Sequence, residues 1–140
     1  MRLILCMLMI LGLAWPAAAE DGDWSAIAVG QWREGNTLYA RATSAERFAT
    51  ESEAEQEAVA HCYREGGAFC EAYTSWNEGC RYATINFVRA GEPAWVFSAT
   101  TKGEALAQCY EANALGCGNE EPVGGCAPGW SNDEDIELDD

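Results

Sequence analysis

Basic residues are scarce in this sequence. Eight Lys and Arg stand against 23 Asp and Glu, a formal charge of −15 at pH 7. Such a balance repels nucleic acid and anionic lipid, which excludes both as partners; it is compatible with a cationic protein or peptide, although solubility alone accounts for an acidic surface more often. Histidine is nearly absent, with His61 alone, so a neutral-pH proton shuttle has one candidate. No G-x-S-x-G, H-E-x-x-H or P-loop occurs, and hydrolase or nucleotide chemistry has no motif to start from. No apolar run reaches the roughly 20 residues that a bilayer-spanning helix needs. There is also no C-x2-C pair, the usual spacing of a structural zinc site.

What the sequence does contain begins with an export pattern. Met1-Arg2 is followed by an apolar run from Leu3 to Leu13 relieved only by Gly12, then Trp15-Pro16 and Ala17-Ala18-Ala19. This is the order of a cleavable secretory signal, with cleavage expected after Ala19. A lipoprotein reading of Cys6 fails because most of the apolar run follows it. Cleavage would leave 121 residues, enough for one domain with one core. It would also turn seven cysteines into six: Cys62, Cys70, Cys80, Cys109, Cys117 and Cys126. An even set in a short exported chain reads as a disulfide framework.

A self-match at an offset of 47 residues organises the remainder. AVAHCYREGGAFC (58–70) lies over ALAQCYEANALGC (105–117), so that Cys62, Tyr63 and Cys70 recur as Cys109, Tyr110 and Cys117. With a one-residue deletion, Gly79-Cys80 lies over Gly125-Cys126. The repeat spans about 38–80 and 94–126, three cysteines to each half. Ser52 with Glu55, and Thr101 with Glu104, fit capping boxes that open a helix in each half. Ala54, Ala58 and Cys62 make a narrow stripe of small residues suited to close packing on a sheet. Gly66-Gly67 ends the first helix, and the second is expected to fray between Asn113 and Gly116.

Strands are expected over 24–30, 37–43, 70–76, 81–88 and 94–99, each rich in aromatic or β-branched residues between Gly, Pro or Asn breaks. Residues 45–50 have no counterpart before the second helix. The Gly- and Pro-rich stretch after Cys117 is expected to be irregular and pinned by Cys126. The charged tail SNDEDIELDD (131–140) is expected to be disordered. The fold class is therefore α+β: a small disulfide-stabilised domain of two related β/α halves, with two helices packed on an antiparallel sheet.

Six cysteines allow fifteen pairings, and three remain if the halves pair alike. Among these, 62–70 with 109–117 is favoured because it closes a helix end onto the following strand in each half, and 80–126 then links the halves. Spacing alone does not decide among the three.

The start WSAIAVG, the helix S-x-A-E-x-x-A-V-x-x-C, the following C-x-A-x-x-x-x-x-x-x-C and the Ala105-to-Cys109 close resemble the DUF4189 domain family over roughly residues 24–126. The resemblance implies an exported bacterial cysteine-rich domain. It implies no catalytic activity, cofactor or site residue, since that family is named for its unknown function. The sequence departs from the family in the extra stretch before its first helix and in its Gly/Pro-rich final cysteine segment.

Candidate chemistry is thin. His61 would serve as a base for Ser44, Ser52 or Thr74, but Gln108 occupies its place in the other half, which favours an idle histidine. Carboxylate pairs at Glu51/Glu53/Glu55/Glu57 and Glu120/Glu121 are what so acidic a chain produces by accident. The tail acids lack the glycine and spacing of an EF-hand. Most of the tryptophans are expected to pack in the core; Trp32 (QWREG) and Trp76 (SWNEG), in turn-like settings, are the candidates for an exposed, partner-binding indole, against the favoured alternative that they too are packed or cover a loop. The reading is a periplasmic or secreted binding module without cofactor, of an inhibitor or immunity type, facing a cationic protein. A small enzyme using His61, or an extracellular structural or stress component, is the alternative.

Overall fold

Two strands joined by the tight Gly35-Asn36 turn open the described chain: β1 (Trp24–Glu34) and β2 (Thr37–Phe48) pair antiparallel from Glu34↔Thr37 down to Trp24↔Phe48. Gly35 turns there with φ +59°, a conformation that costs glycine little. Helix α1 (Glu51–Arg64) follows, and strand β3 (Glu71–Trp76) returns along the other edge of β1, giving the order β2-β1-β3. The same ββαβ sequence then repeats. Strand β4 (Cys80–Asn86) is central, β5 (Trp95–Ala99) and β6 (Val123–Cys126) flank it antiparallel, and α2 (Lys102–Glu111) connects those two. This computed structural model describes residues 22–132. The proposed signal segment 1–19 and tail residues 133–140 lie outside the described residues.

The α+β class holds, with two helices and two three-stranded antiparallel sheets in place of one sheet. Alternation along β1 explains the layering. Ala26 and Ala28 face α1, joining Ala45, Ala54, Ala58, Cys62 and Cys70 in one buried cluster. Ile27 points the other way, into a second cluster with Trp76, Ala83 and Ala127, flanked by Val29, Val96 and Val123. The sheets thus meet through their inner faces, and each carries its helix outside, α1 on the first and α2 against β4 and β5. Small side chains let the layers approach closely. The buried set is rich in alanine and cysteine, with Ile27, Trp76, Tyr82 and Phe97 as its large members, and the disulfides add to what this small core contributes.

Both helices are capped by hydroxyls. Thr101 accepts the Glu104 N–H at 3.1 Å, as its sequence pattern predicts. In α1 the cap is Thr50, not Ser52: its Oγ1 accepts the Glu53 N–H at 3.2 Å, and Ser52 lies inside the helix, accepting from Gln56. Both helices close in the same way. Gly66 and Gly67 donate to the carbonyls of Tyr63 and Cys62, and Asn113 and Ala114 to those of Tyr110 and Cys109. This double bond pattern needs a left-handed residue after the cap, which is Gly66 in one helix and Asn113 (φ 52°) in the other. The second helix therefore ends in a defined motif and does not fray.

Three disulfides join Cys62–Cys70, Cys109–Cys117 and Cys80–Cys126. The pairing is the favoured one, but the last bond does not link the repeats. Cys80 opens β4 and Cys126 closes β6, directly opposite each other in the second sheet with Cα atoms 3.9 Å apart. The structural repeat runs from β1 to β3 and from β4 to β6, so Cys80 belongs to the second unit. The stretch after Cys117 also contains a strand, β6, in place of wholly irregular chain. Gly124, at φ 125° and with the Arg81 carbonyl where a Cβ would stand, shows why that strand is written in glycine.

Candidate functional site

The structure separates the two tryptophan candidates. Trp76 is buried at 5% exposure in the inter-sheet core, and its indole N–H has no partner. Its place opposite Ser25 puts it on the inner face with Ile27, so Trp76 is a packing residue and not a surface contact. Trp32 lies half-buried near the end of β1. It stacks on Tyr39, its cross-strand partner, with ring centroids 5.5 Å apart and planes 15° apart. Its Nε1 donates to Glu34 at 3.1 Å. Such cross-strand aromatic pairs stiffen a hairpin end and present a rigid amphipathic surface.

That pair stands beside a cleft where the sheets part. β6 pairs only with residues 80–83 of β4. Beyond it, Leu38, Ala40 and Ala42 of β2 roof a space of about 270 Å³ over Ile85 and Val123, with Asn119, Glu120 and Glu121 along its rim. A second hollow of about 290 Å³ adjoins it around Trp32, Leu38, Tyr39, Phe87 and Pro93. Leu115 is 65% exposed at the cleft wall. Its N–H donates to the Phe87 carbonyl at 2.8 Å, and Asn86 Nδ2 donates to the Leu115 carbonyl at 3.0 Å. On the opposite flank Gln31 clamps the sheets together: its side-chain amide donates to the Ala94 carbonyl and accepts the Ala94 N–H. Of the cleft-forming residues, Trp32 and the Glu120/Glu121 pair stand out in the sequence. Tyr39 is named by cross-strand pairing, whereas Leu38, Phe87 and Leu115 carry no local signal.

His61 is placed as a strut. Its Nδ1 donates to the Ser44 carbonyl at 3.0 Å, and its Nε2 lies 3.5 Å from Glu65. The ring meets Ser44 through the backbone and not through the hydroxyl a nucleophile would need. Gln108, the matching residue, donates to the Ser98 carbonyl at 3.3 Å. Each helix thus ties an outward carbonyl of its unit's edge strand, and imidazole and amide do the same work. Glu51 and Glu55 both accept from the Ser75 hydroxyl, at 2.5 and 3.4 Å. Glu57 pairs with Arg64, and Glu121 lies 3.6 Å from Lys102. No group of three or more metal-ligating side chains comes together among the described residues. No helix among them is long and apolar enough to cross a membrane.

No protein-family model, no curated protein and no solved structure matches this chain.

Proposed function

We propose that this chain is an exported, non-enzymatic binding module of the bacterial envelope, of an inhibitor or immunity type, whose partner is a cationic protein. The observation that carries the reading is the Trp32–Tyr39 stack at the end of the β1–β2 hairpin, whose other face borders a cleft with an apolar floor and a carboxylate rim. Aromatic anchors beside acidic groups suit a Lys- or Arg-rich surface, because long basic side chains lay their stems on apolar surface and keep their charge at the rim. The excess of acid over base across the whole chain would speed such an encounter. Three disulfides suit an oxidising compartment. Together with the signal pattern, and with the resemblance to DUF4189, they support a periplasmic or secreted location.

The test compares envelope proteins retained by the oxidised wild-type domain and by a Trp32→Ala/Tyr39→Ala variant. A salt-sensitive basic protein held by the first and lost by the second is expected. Equal retention by both would remove the cleft as the binding surface, and no retention by either would favour the structural-component alternative.

A further inference from the structure

The backbone of β2 has a direction that its side chains do not reveal. The two-residue Gly35-Asn36 turn makes Glu34 and Thr37 the hydrogen-bonded closing pair, so Tyr39 and Arg41 also direct their N–H and C=O groups at β1. Leu38, Ala40, Ala42 and Ser44 direct theirs away from it. The Ser44 carbonyl agrees with this alternation, since it is the one His61 reaches from outside the sheet. No hydrogen bond meets the outward groups of Leu38, Ala40 or Ala42 among the described residues. In the second unit the corresponding edge strand is more fully occupied: Gln108 takes the Ser98 carbonyl and Gln31 takes both groups of Ala94, leaving Val96 and the Ser98 N–H. β2 contains no proline and no bulge over this stretch, so it lacks two of the usual means of blunting an edge, and its one charge there, Arg41, is turned to Glu65.

We infer that the outer edge of β2, at Leu38 to Ala42, receives an extended basic segment of the partner protein as a fourth strand of the first sheet. The inference rests on the binding reading above and states how the partner is held. Three residues with outward N–H and C=O groups offer a ladder that is independent of partner sequence. Specificity comes from the alternate side chains. One set would turn toward the cleft, over Ile85 and Val123 and toward Glu120 and Glu121, and the other toward the Trp32–Tyr39 face. Lys or Arg suits the first set, its stem on the apolar floor and its charge among the rim carboxylates.

An alternating Lys-Val octapeptide is the probe, with a second form N-methylated at every residue as its control. The methylated form keeps the charge and loses the backbone donors. Hydrogen exchange followed residue by residue should slow at least tenfold at Leu38, Ala40 and Ala42 when the first peptide binds, while Tyr39 and Arg41 change little. The methylated peptide should bind at least tenfold more weakly. Ala40→Pro, which deletes an outward N–H and leaves the β1 ladder intact, should weaken the first peptide to a similar extent; if that variant does not fold, the methylated peptide decides. Binding without slowed exchange at those three amides, or equal binding of both peptides, overturns strand addition and leaves an acidic binding surface standing. No binding of either peptide at low salt overturns both readings. Slow exchange of the three amides in the free chain, strengthening with protein concentration, assigns the edge to a second copy and also overturns the inference.

Discussion

Gly30 lies in β1 under the Cys62–Cys70 bridge, and replacing it with alanine tests the packing of the first unit directly. A Cβ there would stand 2.8 Å from the Ala68 carbonyl oxygen, 2.9 Å from Cys70 Sγ and 3.0 Å from Cys62 Sγ. Backbone and a disulfide supply all three neighbours, so none swings aside as a long side chain would. Overpacking of this kind costs about 1–3 kcal/mol. For a domain of this size each kcal/mol lowers the melting temperature by roughly 4 °C, so a drop of about 4–12 °C is expected in calorimetry of the oxidised protein. The control is Gly22→Ala, whose added Cβ meets nothing closer than 3.7 Å. A second arm repeats Gly30→Ala in a Cys62→Ala/Cys70→Ala background. Two of the three obstructions are then gone, and the penalty should shrink while the Ala68 carbonyl remains. A Gly30→Ala protein that melts at or above the parent, or a penalty unchanged without the bridge, would refute this account of the packing.

The disulfides should rank by the loop each closes. Bridges spanning 8 residues restrict the unfolded chain by about 2.5 kcal/mol each, and the bridge spanning 46 by about 4; paired Cys→Ala variants compared by denaturant unfolding should show Cys80/Cys126 as the most costly loss. His61→Gln should stay within about 0.5 kcal/mol of the parent, because Gln108 makes the same contact in the other unit, whereas His61→Leu should cost about 1 kcal/mol. At the helix ends, Asn113→Gly should stabilise by about 0.5 kcal/mol and Gly66→Ala should destabilise by about 1 kcal/mol. A Cβ on Gly66 would meet nothing within 4 Å, so melting curves there report backbone conformation alone.

The cysteine repeat by itself makes much of the architecture legible. Cys62/Cys70 and Cys109/Cys117 mark equivalent helix ends, and the offset between them locates both helices. The same alignment misplaces the boundary between units, because the first unit ends at Trp76 without a third cysteine. Cys80, which opens the next strand, stands in for one. β1 and β4 share no residue pattern that shows them to be equivalent: one buries Ala26, Ile27 and Ala28, the other Tyr82, Ala83 and Thr84. The first cap is ambiguous in sequence, since Thr50 and Glu53 form the same hydroxyl-x-x-Glu pattern as Ser52 and Glu55. Nothing local chooses between two adjacent solutions; the chain takes the earlier one, two residues after β2 ends at Phe48. Trp76 fails as a surface candidate for a similar reason. Its turn-like neighbours are visible, but which face of β3 it occupies depends on its register with Ser25. The cleft is the least legible feature, since Leu38, Phe87 and Leu115 meet only when two sheets are stacked.

The location of the third bridge decides what kind of object a cut chain becomes. Cys80 and Cys126 both lie on the C-terminal side of the Asn77–Gly79 connection, and Cys62 and Cys70 both lie before it. The main chain is therefore the sole covalent path between the two ββαβ units. One cleavage among those three residues would yield two separate bands on a non-reducing gel, where a bridge between the repeats would have kept a single one. Noncovalent contacts, among them the packing around Ile27 and the Gln31 amide, would then hold the pieces together.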